Sequence, residues 1–133
     1  MPETIKKQQV SILKVDAEKR IIKTAVYVPN LIDTQGDWAT AEDIEAAAHS
    51  FMKELKLQNV DTFHDFQKVD AFVCESYISK GDSDWEDGSW VVCIKIDSDE
   101  VWAMVLKGEI EGVSMAGTAL RYEGVEPPAE IAT

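Results

Sequence analysis

Ser114 and His64 are the side chains of this 133-residue sequence whose types and surroundings could form a nucleophilic site. Ser114 stands in the run GVSMAG, where small residues would let a substrate backbone approach closely. A serine needs a base to become a nucleophile at neutral pH, and His64, in VDTFHDF, is the strongest histidine candidate. The alternatives are a tightly packed strand around Ser114 and a half-buried His64 that is hydrogen-bonded to backbone.

A third group could orient the imidazole and stabilise its charged form. Glu75, Asp65 and Asp70 are the candidates. Glu75 interrupts the otherwise apolar run AFVCESYI, and strict alternation would place it on one strand face with Val73 and Tyr77. We therefore expect Glu75 to be partly buried and to need a partner. The alternative is a sheet edge at which Glu75 faces water.

The other groups of chemically active residues favour structural interpretations. The acidic run from Ser79 to Gly88 lacks the spacing of an EF-hand loop, so it predicts a solvated charge run and no metal site. Cys74 and Cys93 lie 19 positions apart without a CxxC pattern, which predicts reduced, buried thiols and neither a disulfide nor a zinc site. The second histidine, His49, falls on the solvated side of a predicted helix. No cofactor is implied.

The charge of the sequence narrows the classes of partner. Thirteen basic residues against twenty-five acidic ones give a net charge of −12, which disfavours nucleic acid and anionic membrane surfaces. The charge is uneven, because residues 1–23 carry +3 and the other 110 residues carry −15. The acidic part would attract basic segments. No apolar stretch reaches membrane-span length, and we expect no signal peptide at the N-terminus.

The hydrophobic patterns predict mostly strands and two helices. The predicted strands are residues 8–15 and 21–28 (a hairpin), 59–63, 71–78, 89–97 and a glycine-interrupted strand over 110–122. The predicted helices are 41–57, with Thr40 as N-cap, and 99–107, with Ser98 as N-cap. The side chains expected to be largely buried are Ile44, Phe51, Leu55, Trp90, Val92, Ile94, Trp102 and Leu106.

Five blocks in order along the chain resemble a known family. They are VYVPNLIDTQGDWATAEDIEAAAHSFM, VDTFHDF, VCESYI, GSWVVCIKI and KGEIEGVSMAGTA. From Val26 to Ala119 the sequence resembles the phage serine proteases of the prohead (capsid maturation) protease group, which are similar in fold to herpesvirus assemblin. The resemblance implies an α+β fold, a mostly antiparallel β-barrel flanked by a few helices. Residues 1–122 would form a single protease-like domain and residues 123–133 a flexible C-terminal tail.

The resemblance also assigns roles to residues. His64 matches the catalytic histidine and Ser114 the nucleophile, on neighbouring strands. Assemblin uses a second histidine as its third member, and His49 is placed on the surface, so Glu75 is favoured for that role.

The family's biology implies a place and partners. A member would cleave scaffold and major capsid protein inside the phage procapsid, in the cytoplasm of a bacterial host. Self-cleavage and a homodimer are further expectations. Two alternatives remain: a catalytically inactive scaffold or binding module of the phage head with the same fold, and an unrelated soluble β-rich interaction domain.

Overall fold

The structure, a computed structural model, describes six stretches of the chain. These are residues 6–7, 13–32, 38–54, 60–61, 70–116 and 119–124. Their strands are β1 (Lys6–Lys7), β2 (Leu13–Asp16), β3 (Ile21–Tyr27), β4 (Leu31–Ile32), β5 (Val60–Asp61), β6 (Ala71–Ile78), β7 (Trp90–Ile96), β8 (Ile110–Ala116) and β9 (Ala119–Gly124). Their helices are α1 (Ala41–Lys53) and α2 (Asp99–Leu106). Neither of these helices is long and apolar enough to cross a membrane. The element order is α+β, as predicted.

A four-stranded antiparallel sheet in the order β2-β3-β7-β6 supports the core. β7 lies inside this sheet, between β3 and β6. The hairpin predicted from residues 8–15 and 21–28 is present as β2 and β3, which pair Asp16 with Ile21. The Asp16 carboxylate accepts a hydrogen bond of 3.2 Å from the backbone N–H of Lys19 and so stabilises the connecting turn.

Helix α1 packs on this sheet through the face that the apolar spacing predicts. Thr40 is the N-cap, as predicted, and its hydroxyl accepts a hydrogen bond of 3.2 Å from the Asp43 N–H. The Phe51 ring meets the Trp90 ring of β7 edge to face, with the centroids 5.5 Å apart. The helix ends at Lys53, four residues before the predicted end, and residues 55–59 lie outside the described residues.

Most of the predicted core is confirmed. The buried members are Ile44, Phe51, Trp90, Val92, Ile94 and Trp102. The prediction for Leu106 is wrong, because that residue is 63% exposed. At 100° per residue, Leu106 falls about 140° from Val101 around α2, whereas Met104 falls within the buried stripe. Leu55 lies outside the described residues.

Residues 110–122, predicted as one strand, form parts of two. β8 and β9 pair antiparallel, and their pairing ends with Ala116 opposite Ala119. Two residues, Gly117 and Thr118, therefore separate the strands in sequence, and a glycine in a two-residue connection is a hairpin signal. β9 also pairs with β5 in parallel, which gives a three-stranded sheet in the order β5-β9-β8.

The expected closed barrel is not formed by the described strands. They make three sheets: β1-β4, the four-stranded sheet and the three-stranded sheet. β2 forms hydrogen bonds with the first half of β3, along the edge that does not face β7. β8 contacts β3 but does not pair with it, so the two larger sheets are not joined by hydrogen bonds there. The two larger sheets nevertheless share one core, in which Leu120 and Tyr122 of β9 belong to the same cluster as Val92 and Ile94. Residues 125–133 lie outside the described residues, so the flexible tail stays a prediction.

The contact between α1 and β7 predicts the effect of truncating Phe51. We expect Phe51→Ala to lower the free energy of unfolding by about 3–5 kcal/mol, because it removes a buried ring and leaves a cavity beside Trp90. The neighbouring Met52→Ala is the control, since Met52 is 40% exposed and should cost less than about 1 kcal/mol. Urea denaturation measures both values, and equal losses would contradict this packing.

Candidate active site

Ser114 lies within β8 of the three-stranded sheet. Its neighbour Val113 is buried, and Val113 is paired with the buried Tyr122 of β9. The backbone of Ser114 is in register with Arg121. The small residues Gly112 and Ala116 therefore belong to the same strand as Ser114, and this strand contributes Val113 to the core.

His64 lies outside the described residues, and the nearest described strand before it in sequence is β5. Asp61 of β5 is in register with Arg121 of β9, which in turn is in register with Ser114 of β8. Because β9 lies between β5 and β8, the strand before His64 and the strand of Ser114 are not neighbours. Two strand spacings are about 9–10 Å, and the three residues from Asp61 to His64 can span a similar length. The chain is therefore long enough to bring the histidine towards the serine.

A β-bulge in β6 decides where Glu75 points. Val73 is opposite Ile94 and Glu75 is opposite the next residue of β7, Cys93, so Cys74 is the extra residue of the bulge. The bulge breaks the alternation, and Val73 is buried whereas Cys74 and Glu75 are both exposed. The expectation that Glu75 shares a face with Val73 and is partly buried is therefore wrong. Among the described strands, β6 is at an edge of its sheet, so Glu75 lies on an edge strand, as the alternative interpretation expected.

The partner of Glu75 is a thiol. Cys93 Sγ donates a hydrogen bond of 3.1 Å to Glu75 Oε1. Burial raises the pKa of Cys93 to about 12, and the hydrogen bond to Glu75 acts in the same direction. Burial, followed by the charge of Glu75, raises the pKa of Cys74, whose Sγ donates to the carbonyl oxygen of Cys93 at 3.5 Å. At neutral pH both thiols are protonated and poorly nucleophilic.

The two cysteines differ from the sequence prediction in one respect. Both are free thiols, and Cys93 is buried as expected, but Cys74 is exposed because it alternates with the buried Val73 on the edge strand β6. Sequence analysis also missed that Cys93 is the partner of Glu75. The signal was present in β7, since Trp90, Val92, Ile94 and Ile96 alternate onto the core face and leave Cys93 on the other face with Lys95.

The other candidate groups occupy separate places. Asp65 lies outside the described residues. Asp70 precedes β6, and its carbonyl oxygen accepts the N–H groups of Asp97 and Ser98 at 2.8 and 3.0 Å. His49 is exposed on α1, as predicted, with its Nε2 3.8 Å from a carboxylate oxygen of Glu45.

The acidic run forms an ordered loop between β6 and β7. Asp82 accepts the N–H of Asp84 at 2.9 Å and the Tyr77 hydroxyl at 3.3 Å. Asp87 accepts the N–H of Gly81 at 2.8 Å. These carboxylates bind donors within the same stretch of chain. In the described part of the chain, no group of three or more potential ligands is placed to hold a metal ion.

Comparison with known proteins finds matches that cover most of the chain. A family model described as "Putative phage serine protease XkdF" matches residues 9–123. The chain is similar to the uncharacterized protein YqbD of Bacillus subtilis (strain 168), with 42% identity over 127 residues, 91% of this chain and 38% of that protein. It is also similar to the phage-like element PBSX protein XkdF of the same strain, with 38% identity over 134 residues, 97% of this chain and 47% of that protein.

The chain thus spans less than half the length of these two relatives. No solved structure matches it significantly. The matched region includes the positions of Ser114, His64 and Glu75.

The environment of the two thiols predicts their reactivity. We expect iodoacetamide at pH 8 to alkylate both cysteines of the folded chain more slowly than free cysteine, with Cys93 the slower, because their raised pKa values leave little thiolate. Glu75→Gln removes a negative charge and should speed the alkylation of Cys74 severalfold. Peptide mapping by mass spectrometry gives the rates. Glu100→Gln, on α2, is the control and should change neither rate. An unchanged Cys74 rate in Glu75→Gln would contradict the effect of the Glu75 charge on the pKa of Cys74.

Proposed function

The chain belongs to the phage serine protease family whose model spans residues 9–123, and from that premise we propose that it is a serine endopeptidase domain of a phage or prophage protein. The proposed reaction is hydrolysis of a peptide bond through an acyl-enzyme. In proteins as long as the two relatives, this domain would form one part of a longer enzyme.

In the proposed mechanism Ser114 is the nucleophile and His64 the base. His64 takes the proton of the Ser114 hydroxyl as the oxygen attacks the carbonyl carbon, and then gives it to the leaving amine. In the second half of the reaction His64 takes a proton from water as the water oxygen attacks the acyl carbon. His64 then returns the proton to the Ser114 oxygen, and the acid product is released. Backbone N–H groups near Ser114 would stabilise the oxyanion.

The observation that supports this pairing best is the register of the three-stranded sheet. Asp61 of β5 and Ser114 of β8 are both in register with Arg121 of β9. The segment that leads from β5 to His64 therefore starts at the same height along the sheet as the serine. A histidine far from the serine in sequence could reach it by this route with three residues of chain.

Glu75 is the proposed orienting group for His64. Its carboxylate accepts the Cys93 thiol through Oε1, and a carboxylate has lone pairs for several more donors. Its exposure on an edge strand leaves that carboxylate accessible to an imidazole.

The proposed substrates are the scaffold and major capsid proteins of the phage head. This proposal comes from the resemblance to prohead proteases and includes action inside the procapsid, in the bacterial host cytoplasm. An assemblin-like fold, a homodimer and self-cleavage belong to the same proposal.

The second candidate is an inactive scaffold or binding module of the phage head. The hydrogen bond from Cys93 to Glu75 favours it, because this carboxylate already has a described partner other than a histidine. The variants below distinguish the two candidates.

The proposed mechanism predicts that Ser114→Ala abolishes cleavage. Co-expression with the cognate scaffold and capsid proteins, with products separated by size, should show loss of processing by about four orders of magnitude or more. His64→Ala should have nearly the same effect, because members of a catalytic pair are not additive.

Two matched substitutions serve as controls for these variants. Ser83→Ala, in the exposed loop, and His49→Ala, on the exposed face of α1, should leave processing unchanged. Full processing by Ser114→Ala would exclude the proposed mechanism. Absence of processing by the unmodified chain in its full-length context would favour the inactive module.

The role of Glu75 is tested separately. If Glu75 orients His64, Glu75→Gln should lower kcat/KM by about 10- to 100-fold, less than the loss in His64→Ala, since the imidazole stays in place but is poorly held. The acid limb of the pH profile should also shift to lower pH, because the neutral amide no longer stabilises the imidazolium and the pKa of His64 falls. Glu86→Gln, in the acidic loop, is the control. A rate and profile equal to the control would remove Glu75 from the proposed site.

A further inference from the structure

A groove of about 470 Å³ crosses the face of the four-stranded sheet that points away from the core. Its floor includes Cys93 and Ile21, and Glu75 borders it on β6. The volume lies within the range of about 300–1,000 Å³ that is typical of ligand clefts. The groove is therefore large enough for several residues of an extended peptide.

The register of the sheet gives this groove two chemically different ends. Lys14 of β2 is opposite Lys23 of β3, Lys23 is opposite Cys93 of β7, and Cys93 is opposite Glu75 of β6. Opposite residues share one face of a sheet, so the two lysines stand at one end and the carboxylate at the other. Lys19, from the turn between β2 and β3, and Asp16, at the end of β2, also line the groove, so the basic end carries three ammonium groups and one carboxylate.

The basic end is an exception on a strongly acidic protein. The chain has a net charge of −12, but its first 23 residues carry +3, and Lys14, Lys19 and Lys23 belong to that stretch. The proposed protease site uses none of these lysines. The fold thus places three of the six basic residues of this stretch around one groove. This cluster of lysines has no role in the proposed reaction.

Lys23 is held in position in its charged form. Its Nζ lies 5.3 Å from the ring centroid of Tyr77 and 5.6 Å from that of Trp85, which are cation–π distances. Hydrogen bonding to the Tyr77 hydroxyl raises the pKa of Lys23. Neither Lys19 nor Lys23 forms an ion pair with a carboxylate of the described residues. Both ammonium groups are therefore available to an anionic ligand.

Among the described residues, the ion-pair partner of Lys14 is an exposed carboxylate. Lys14 Nζ lies 3.2 Å from Asp84 Oδ1, with 51% and 38% of the two side chains accessible. Exposed ion pairs contribute about 0–1 kcal/mol, so a ligand carboxylate can replace Asp84 at small cost.

We propose that this groove docks an acidic peptide segment of a partner protein, with its Asp or Glu carboxylates against Lys14, Lys19 and Lys23. Peptide N–H groups, which are neutral donors, then face the carboxylate of Glu75. A polyanion such as a nucleic acid fits poorly, because its regularly spaced phosphates would also lie against Glu75 and the acidic loop. The docking does not depend on the proposed cleavage.

Fluorescence anisotropy of a labelled peptide tests the proposal with the full chain. The probe is a ten-residue peptide with three glutamates among glycine and serine, amidated at its C-terminus and carrying an uncharged dye. Two further peptides, with glutamine or lysine in place of glutamate, report on charge. We expect the glutamate peptide to bind at least tenfold more tightly than either, with an affinity that falls as salt is added.

A charge-matched pair of variants locates the binding. Lys14→Gln, Lys19→Gln and Lys23→Gln together should weaken binding of the glutamate peptide at least tenfold. Lys53→Gln, Lys80→Gln and Lys107→Gln together remove the same charge from exposed positions elsewhere and should weaken it less than threefold. If the first triple variant does not fold, Lys19→Gln alone, in an exposed turn, should still weaken binding severalfold, and peptide-induced amide shifts should map to Lys23 and Cys93.

Three results would overturn the proposal. They are equal losses in the two triple variants, equal binding of the glutamine peptide, and tighter binding of a single-stranded oligonucleotide that competes for the same amide shifts.

Discussion

The burial of strand β7 on both of its faces is the constraint on which the rest of the structure depends. The residues of this strand with no exposed surface are Trp90, Val91, Val92, Ile94 and Ile96. On the core side α1 covers Trp90, and on the other side Trp85 covers Val91. A strand buried in this way has no solvent for its backbone groups, so β3 and β6 must both pair with it. The sheet therefore forms as one unit.

The β-bulge in β6 gives the outer face of this sheet its chemistry. A regular β6 would alternate without interruption, and Cys74 and Glu75 would then lie on opposite faces. The extra residue turns Glu75 outward, to the same side as Cys74 and beside Cys93, while Ser76 returns to the inner side and accepts the Trp90 indole N–H at 2.9 Å. One inserted residue thus keeps the core pairing of Trp90 and creates a polar border for the groove.

The proposed nucleophile and the basic end of the groove lie on different sheets that share one core, whereas Glu75 of the four-stranded sheet belongs to both proposals. Ser114 belongs to the three-stranded sheet, and the basic end of the groove belongs to the four-stranded sheet. Because Leu120 and Tyr122 pack in the same cluster as Val92, loss of core packing would disturb both regions. Loss of a surface lysine would disturb only the groove. Stability and docking can therefore be separated by mutation.

The local elements of this protein follow from its sequence. The Thr40 cap and the apolar spacing through Ile44 and Phe51 determine α1, and the unbroken apolar run from Trp90 determines a buried strand, because these patterns depend on neighbouring residues alone. The Ser114 and His64 candidates also came from local motifs, and the family match covers both positions.

Contacts between distant residues decided the rest. The bulge that turns Glu75 outward arises from pairing with a strand 18 residues away, and the alternation within β6 alone predicted the opposite direction. The insertion of β9 between β5 and β8, and the edge of β3 taken by β2, likewise depend on which strands compete for each hydrogen-bonding edge. Pairing between distant strands is non-local, so the order of residues predicted the local β2–β3 hairpin but not which distant strands are neighbours.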